Sequence, residues 1–158
     1  MFMIISGGQT GVDRAALDIA IELGMPHGGY CPKGRRAEDG IIPSKYNLIE
    51  HTSVQYAGRT LENVLSSDGT LILHIGIISK GTALTKEFCI QREKPILIIN
   101  IFDDLNLSRL NFNRWIKENF IKALNVAGPR ESEAQIYNIS KNILFQLLCD
   151  TKSISLSS

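Results

Sequence analysis

The chain is poor in the residues that build metal centres and disulfide frameworks. Its 158 residues include 3 cysteines and 3 histidines. Cys31, Cys89 and Cys149 lie far apart and form no Cys-x-x-Cys pair, which reads as reduced thiols rather than a scaffold. His27, His51 and His74 have no ligand spacing, so no protein-ligated metal is expected; His74 stands out only for its place at the end of a predicted strand. An excess of one charge is also missing. With 17 basic and 16 acidic residues the net charge is +1, which creates no global field to recruit nucleic acid or membrane. No apolar run approaches the roughly 20 residues that span a bilayer. The first residues lack the basic segment and long apolar stretch of a secretory signal, so the expected location is the cytoplasm.

Several catalytic signatures are absent too. There is no Gly-x-Gly-x-x-Gly fingerprint, no Gly-Lys-Ser/Thr ending of a phosphate loop and no Gly-x-Ser-x-Gly elbow. No nucleophile, base and orienting group stand together. The candidate acids Asp13, Asp39, Asp68 and Glu87 are scattered.

What the chain does have is ordinary globular composition, 44% hydrophobic and 21% charged, and a start that breaks sharply from strand to turn to helix. Phe2-Met3-Ile4-Ile5-Ser6 runs into Gly7-Gly8-Gln9-Thr10-Gly11, and Val12-Asp13-Arg14-Ala15-Ala16-Leu17-Asp18 opens a helix. Glycines at such a junction permit positive φ and close approach to the main chain, and a helix amino end attracts an anion. Thr10 and Asp13 also have the spacing of a capping box, and Arg14 that of an i, i+4 pair with Asp18, so each has a structural reading beside the functional one.

Strand and helix patterns alternate from there on. Val12, Ala16, Ile19, Ala20 and Leu23 mark a helix that Gly24 caps. A long loop from His27 to Pro43 precedes a short second strand, Asn47–Glu50. Leu61, Val64 and Leu65 mark the next helix, and Asp68-Gly69 turns into a strand from Thr70 to Ile75. A helix runs from Gly81 to Arg92, a strand over Ile96–Ile99 is expected to be buried on both faces, and a helix spans Leu110 to Ala123. The strand Leu124–Ala127 and a final helix from Glu131 to Cys149 complete the pattern. It predicts an α/β fold: a doubly wound, mostly parallel sheet in three α/β/α layers. A single ligand-binding domain covers residues 1–150, with a polar tail at 151–158.

In such folds ligands bind beyond the carboxyl ends of the strands. Three glycine-bearing junctions meet that edge: Gly7–Gly11, Lys80-Gly81-Thr82 through Thr85, and Gly128-Pro129-Arg130. Helix dipoles aimed at one crevice favour a ligand with several negative charges. Lys33, Arg35 and Arg36 in the long loop, and Arg59 with Asn63 on the second helix, either reach the same ligand or form a solvated surface. The candidate binding set is thus Gly7, Gly8, Gln9, Thr10, Gly11, Asp13, Arg14, Lys33, Arg35, Arg36, Arg59, Asn63, Lys80, Gly81, Thr82, Thr85 and Arg130.

The first turn, Arg59-Thr60 through Asn63-Val64, Ser67-Asp68-Gly69-Thr70 and Asn125-Val126-Ala127-Gly128-Pro129-Arg130 together resemble the molybdenum cofactor carrier protein family. The resemblance runs from Ile4 to about Leu148. It implies a Rossmann-like fold of the superfamily that also holds the cytokinin-activating phosphoribohydrolases, with a phosphate or nucleotide at Gly7–Gly11 and a pocket completed by Gly81-Thr82. Those enzymes carry a catalytic glutamate where this chain has Thr85, and Glu87 lies about 200° further round the helix. The resemblance therefore implies a binding or carrier protein, without catalytic residues, for a phosphorylated pterin (molybdenum cofactor, or molybdopterin) or a nucleotide. A nucleotide-processing hydrolase and a nucleotide sensor are the alternatives. A molybdoenzyme recipient and a dimer or tetramer are the implied partners.

Overall fold

In the computed structural model, which describes residues 2–151, the first helix shows how local sequence sets the frame. Helix α1 (Val12–Glu22) buries Val12, Ala15, Ala16, Ile19 and Ala20 on one stripe. It ends as expected at Gly24, whose φ of 63° lets its N–H reach Ile21 O while Met25 N–H reaches Ala20 O. These paired bonds satisfy carbonyls that a helix end otherwise leaves open.

The central sheet holds β1 (Met3–Ile5), β2 (His27–Gly28), β7 (Gly69–His74), β8 (Ile96–Asn100) and β9 (Ala123–Ala127) in the order β2-β1-β9-β7-β8, with every pairing parallel. Helices α1, α4 (Leu105–Glu118) and α6 (Tyr137–Leu148) pack together on it, as do α2 (Tyr56–Leu65) and α3 (Lys80–Gln91). The architecture is a Rossmann-like α/β fold. Ile4, Leu71, Leu73, Leu124 and Val126 join α1, α4 and α6 in the main apolar core. The alternate strand positions Thr70 and Asn125 are buried and polar, and Asn125 Nδ2 donates to Thr70 Oγ1 at 3.2 Å. The polarity of that layer is what makes a site possible there.

Several expectations need correction. The second strand of the central sheet is His27–Gly28, whereas β6 (Ile49–Glu50) pairs with β3 (Tyr30–Cys31) in a separate ribbon. Strands of two residues carry no readable periodicity. The long loop also folds a hairpin of β4 (Arg36–Ala37) and β5 (Gly40–Ile41), and Ile42, Tyr46, Leu48, Cys31 and Leu17 form a second small core beneath it. Strand β8 lies at the sheet edge, so Ile96, Leu97 and Ile98 are only half-buried. Helix α4 begins five residues earlier than its apolar stripe suggests, because Asp104 Oδ1 accepts the N–H of Leu107 at 2.8 Å and caps it. The last helix is broken at Gln135, φ 45°, into α5 (Glu131–Ala134) and α6. Of the expected tail only Thr151 lies within the described residues; it is buried and donates to Leu148 O.

Candidate functional site

The carboxyl ends of β1 and β9 open onto a cavity of about 90 Å³, walled on the far side by the start of α3. Its lining includes Gly7, Gln9, Asp13, Arg59, Asn63, Gly81, Thr82, Thr85 and Arg130 from the sequence-derived set, with Tyr56, Ser79 and Glu133 in addition. This volume is well below the roughly 300–1,000 Å³ of a pocket that engulfs a drug-sized ligand. It suits one small polar group.

The wall is built around Arg59. A Cβ placed on Gly7 would meet Arg59 Nη1 at 1.6 Å, so the glycine makes room for the guanidinium. Arg59 Nη1 lies 3.6 Å from Asp13 Oδ2, and both side chains are only 11% exposed. Burial pushes the Asp13 carboxyl above its ordinary range, and this outweighs the opposing pull of Arg59 and of the Gln9 N–H. Across the cavity mouth the Tyr56 ring has Arg59 and Arg130 guanidinium carbons 5.3 and 5.5 Å from its centroid.

Two donors in this wall are buried and unpartnered: Arg59 Nε and Gln9 Nε2. The Gln9 carboxamide is fixed by its other end, where Oε1 accepts from Thr10 N at 3.0 Å and Glu38 N at 2.9 Å. A buried donor without an acceptor costs about 1–3 kcal/mol. Both residues line the same small cavity, where an acceptor entering from outside would relieve that cost. On the opposite wall the hydroxyls are internally engaged, Ser79 Oγ donating to Thr82 Oγ1 and Thr85 Oγ1 to Gly81 O.

The glycine turn itself is more closed than its sequence suggests. Gly8 N donates to Ser6 Oγ, Gln9 N to Asp13 Oδ2, Thr10 N to Gln9 Oε1 and Val12 N to Pro129 O. A Cβ on Gly8, φ 76°, would meet Leu48 Cδ1 at 2.6 Å, and one on Gly11, φ 79°, would meet Pro129 O at 2.4 Å. These two glycines admit protein, not ligand. The residue at the helix start is Gly11, with no side-chain cap, so Thr10 and Asp13 form no capping box. Thr10 Oγ1 accepts from Glu131 N and donates to Glu38.

Other expected residues are placed elsewhere. Arg14 donates through Nε and Nη2 to Gly8 O and pairs with Asp39 at 2.9 Å; it does not pair with Asp18. Asp18 instead accepts from the hydroxyls of Tyr46 and Tyr137. Arg35, φ 52°, donates to the carbonyls of Ile42, Pro43, Tyr46 and Leu48, and so organises the loop from within. Lys33, Arg36 and Lys80 are exposed and stand outside the cavity lining. Asn63 lines it, but both ends of its amide are taken by the backbone of Tyr30. Among the candidate acids only Asp13 reaches the cavity; Asp68 accepts from Lys122 N and Ala123 N, and Glu87 from Gln91. His74 Nδ1 sits 3.0 Å from Gly76 O.

Glu38 escaped the sequence reading. It accepts from Ser132 N and Oγ and from Thr10 Oγ1, filling the amino end of α5 with the chain's own carboxylate. Burial acts to raise its carboxyl, but the hydrogen bonds from Ser132 and Thr10 prevail and hold it below the usual range. No local motif marks an acid that caps a helix 94 residues away. Among the described residues no group of three or more His, Cys, Asp or Glu side chains is placed to hold a metal ion, and no helix is long and apolar enough to cross a membrane.

Comparison with known proteins agrees with this architecture. The profile of the circularly permutated YpsA SLOG family matches residues 4–148. A crystal structure from Syntrophus aciditrophicus SB, of a protein named "putative molybdenum carrier protein", is 45% identical, covering 94% of this chain and 95% of that chain with a TM-score of 0.90. No curated protein matches the chain significantly.

Proposed function

The chain belongs to the circularly permutated YpsA SLOG family, and from that premise we propose that it is a binding and carrier protein for a phosphorylated pterin or nucleotide-like molecule, with molybdenum cofactor as the cargo. The observation that carries this reading is the pair of orphaned donors, Arg59 Nε and Gln9 Nε2, in the wall of a cavity of about 90 Å³. A phosphate group supplies several acceptor oxygens and a charge that Arg59 and Arg130 complement. The cavity is too small for a fused ring system, so the phosphate enters and the planar part of the ligand lies at the mouth beside Tyr56. The metal of the cargo rides on the pterin's own sulfurs, and the protein needs no ligand to it. The 45% identical protein's name, a molybdenum carrier, supports a cargo of this kind. A molybdoenzyme is the recipient this reading calls for, and the cytoplasm its compartment.

Titration calorimetry with adenosine monophosphate, adenosine and inorganic phosphate tests the phosphate's role. The phosphate-bearing probes should bind to wild type and adenosine should not, and Arg59→Gln should weaken binding at least tenfold, since 1.4 kcal/mol is one decade. Equal affinity for adenosine and its monophosphate would overturn the reading.

One observation favours a second reading. Asp13 is a buried carboxyl, raised above its ordinary range, in the same cavity. That is the environment of a general acid, and it suits a hydrolase acting on a nucleotide. Release of free base from adenosine monophosphate over many turnovers, lost in Asp13→Asn, would decide for it. A nucleotide sensor shares the pocket and differs only in its output.

A further inference from the structure

The two edges of the central sheet are built differently. One is closed off by a strand of only two residues, β2. Short edge strands are a common protection against pairing with another chain. The other edge is β8, Ile96-Leu97-Ile98-Ile99-Asn100, with no charged residue along it. Its ladder to β7 is bounded by Thr70 N–H to Pro95 O and Ile101 N–H to His74 O. In a parallel ladder of this register the odd-numbered residues of β8 bond to β7, and the N–H and C=O of Ile96 and Ile98 point away from the sheet. The outward groups of Asn100 are already used, its N–H by Asp103 Oδ2 and its C=O by Asp103 N–H. What remains open is a short run centred on Leu97.

We propose that β8 pairs antiparallel with β8 of a second copy of this chain, joining two five-stranded sheets into one across a two-fold axis at Leu97. In that arrangement Ile96 exchanges both of its outward hydrogen bonds with Ile98 of the second copy, and Ile98 does so with Ile96 of that copy. The flanks match as well. Ile90 and Arg92, exposed just before the strand, come to the end where the second copy carries exposed Phe102, Asp103 and Asp104. Apolar side chains meet apolar ones there. Arg92 has no ion pair among the described residues, and meets an acidic end. A chain of different sequence has no reason to offer this same run in the opposite sense, whereas a second copy always does.

Sedimentation analysis and amide hydrogen exchange of the full chain test this together. Wild type should be dimeric at micromolar concentration, with the Ile96 and Ile98 amides protected although neither has an acceptor among the described residues of its own chain. Ile98→Pro removes only an outward N–H, a position where an edge strand tolerates proline; it should give a folded monomer. Arg92→Glu should weaken the dimer at least tenfold at low salt, and added salt should narrow the gap from wild type by screening the new repulsion. A monomeric wild type, or a dimer in which the Ile96 and Ile98 amides exchange freely, would overturn the proposal. A dimer preserved in folded Ile98→Pro would do the same, and if that variant does not fold, the exchange result on wild type decides. None of these readouts depends on what the cavity binds.

Discussion

The guanidinium of Arg59 occupies the space where Gly7 would carry a side chain, and a Cβ there would come within 1.6 Å of Nη1. The glycine at the carboxyl end of the first strand thereby fixes an arginine from a helix more than 50 residues away. Substitution should separate binding from folding. Gly7→Ala displaces only the far end of a flexible side chain, so thermal unfolding should shift little. Affinity for adenosine monophosphate should fall at least tenfold, measured by calorimetry on the same preparations.

Gly8→Val should behave in the opposite way. The position has a φ of 76° and faces Leu48 and Ile42 in the small core. A β-branched residue there combines backbone strain with overpacking, for a loss of about 2–5 kcal/mol. Urea denaturation should show it as a lower midpoint at unchanged slope. Stability equal to wild type would mean that the loop beneath yields more easily than its packing suggests.

Arg35→Ala should destabilise the chain by on the order of 2 kcal/mol or more, because four carbonyls lose a charged donor at once. Arg36→Ala, at an exposed position, should leave stability within about 0.5 kcal/mol of wild type. Neither should change affinity for adenosine monophosphate at a temperature where both are folded. A selective loss of affinity in Arg36→Ala would return the loop to the binding surface.

Glu38 sets an acid limb in the stability profile. Its carboxyl titrates lower in the folded chain than in the unfolded one, where the ordinary value is 4.5. The unfolded state therefore takes up the proton first, and the contribution of Glu38 is present above that value and lost as pH falls through its folded value. Melting temperatures of wild type and Glu38→Gln between pH 3 and 7 should differ most at neutral pH and converge in acid. A constant gap would assign the effect to shape rather than charge.

Asp13 gives binding the reverse dependence. Its carboxyl is raised by burial, so it takes a proton in the folded state at a pH where a free aspartate stays ionised. An anion entering beside it is favoured when that proton is present. Across a pH series, the affinity for adenosine monophosphate should rise more on acidification in wild type than in Asp13→Asn, by calorimetry. An equal rise would place Asp13 outside the ligand's field.

Much of the frame was legible because it rests on long, regular signals. The stripe Val12-Ala16-Ile19-Ala20, its Gly24 stop and the apolar runs Thr70–His74 and Ile96–Ile99 announce their own elements. The parallel α/β order follows from their alternation. The loop from His27 to Pro43 stayed opaque because its strands are two residues long and its order comes from Arg35 and Glu38 bonding to groups far along the chain. Apolarity of β8 was readable, but its edge position depends on the order in which the strands assemble, which no local pattern encodes. Within the site, Arg59 and Asp13 were both visible as charges. Their contact across Gly7, and the orphaned Gln9 amide that Glu38 holds in place, exist only once β1, α2 and the loop are brought together.

The order of the strands also governs the order of assembly. β9 lies between β1 and β7, yet among the described residues it is the last strand in chain order. A nascent chain that ends before residue 123 holds β1 with β2 on one side and β7 with β8 on the other, with no strand to pair the two halves. The turn at Gly7 and the start of α3 cannot face each other until Asn125 to Arg130 arrive between them. The cavity therefore closes only after residues 125–130 have been made, well after both of the strand pairs that flank β9.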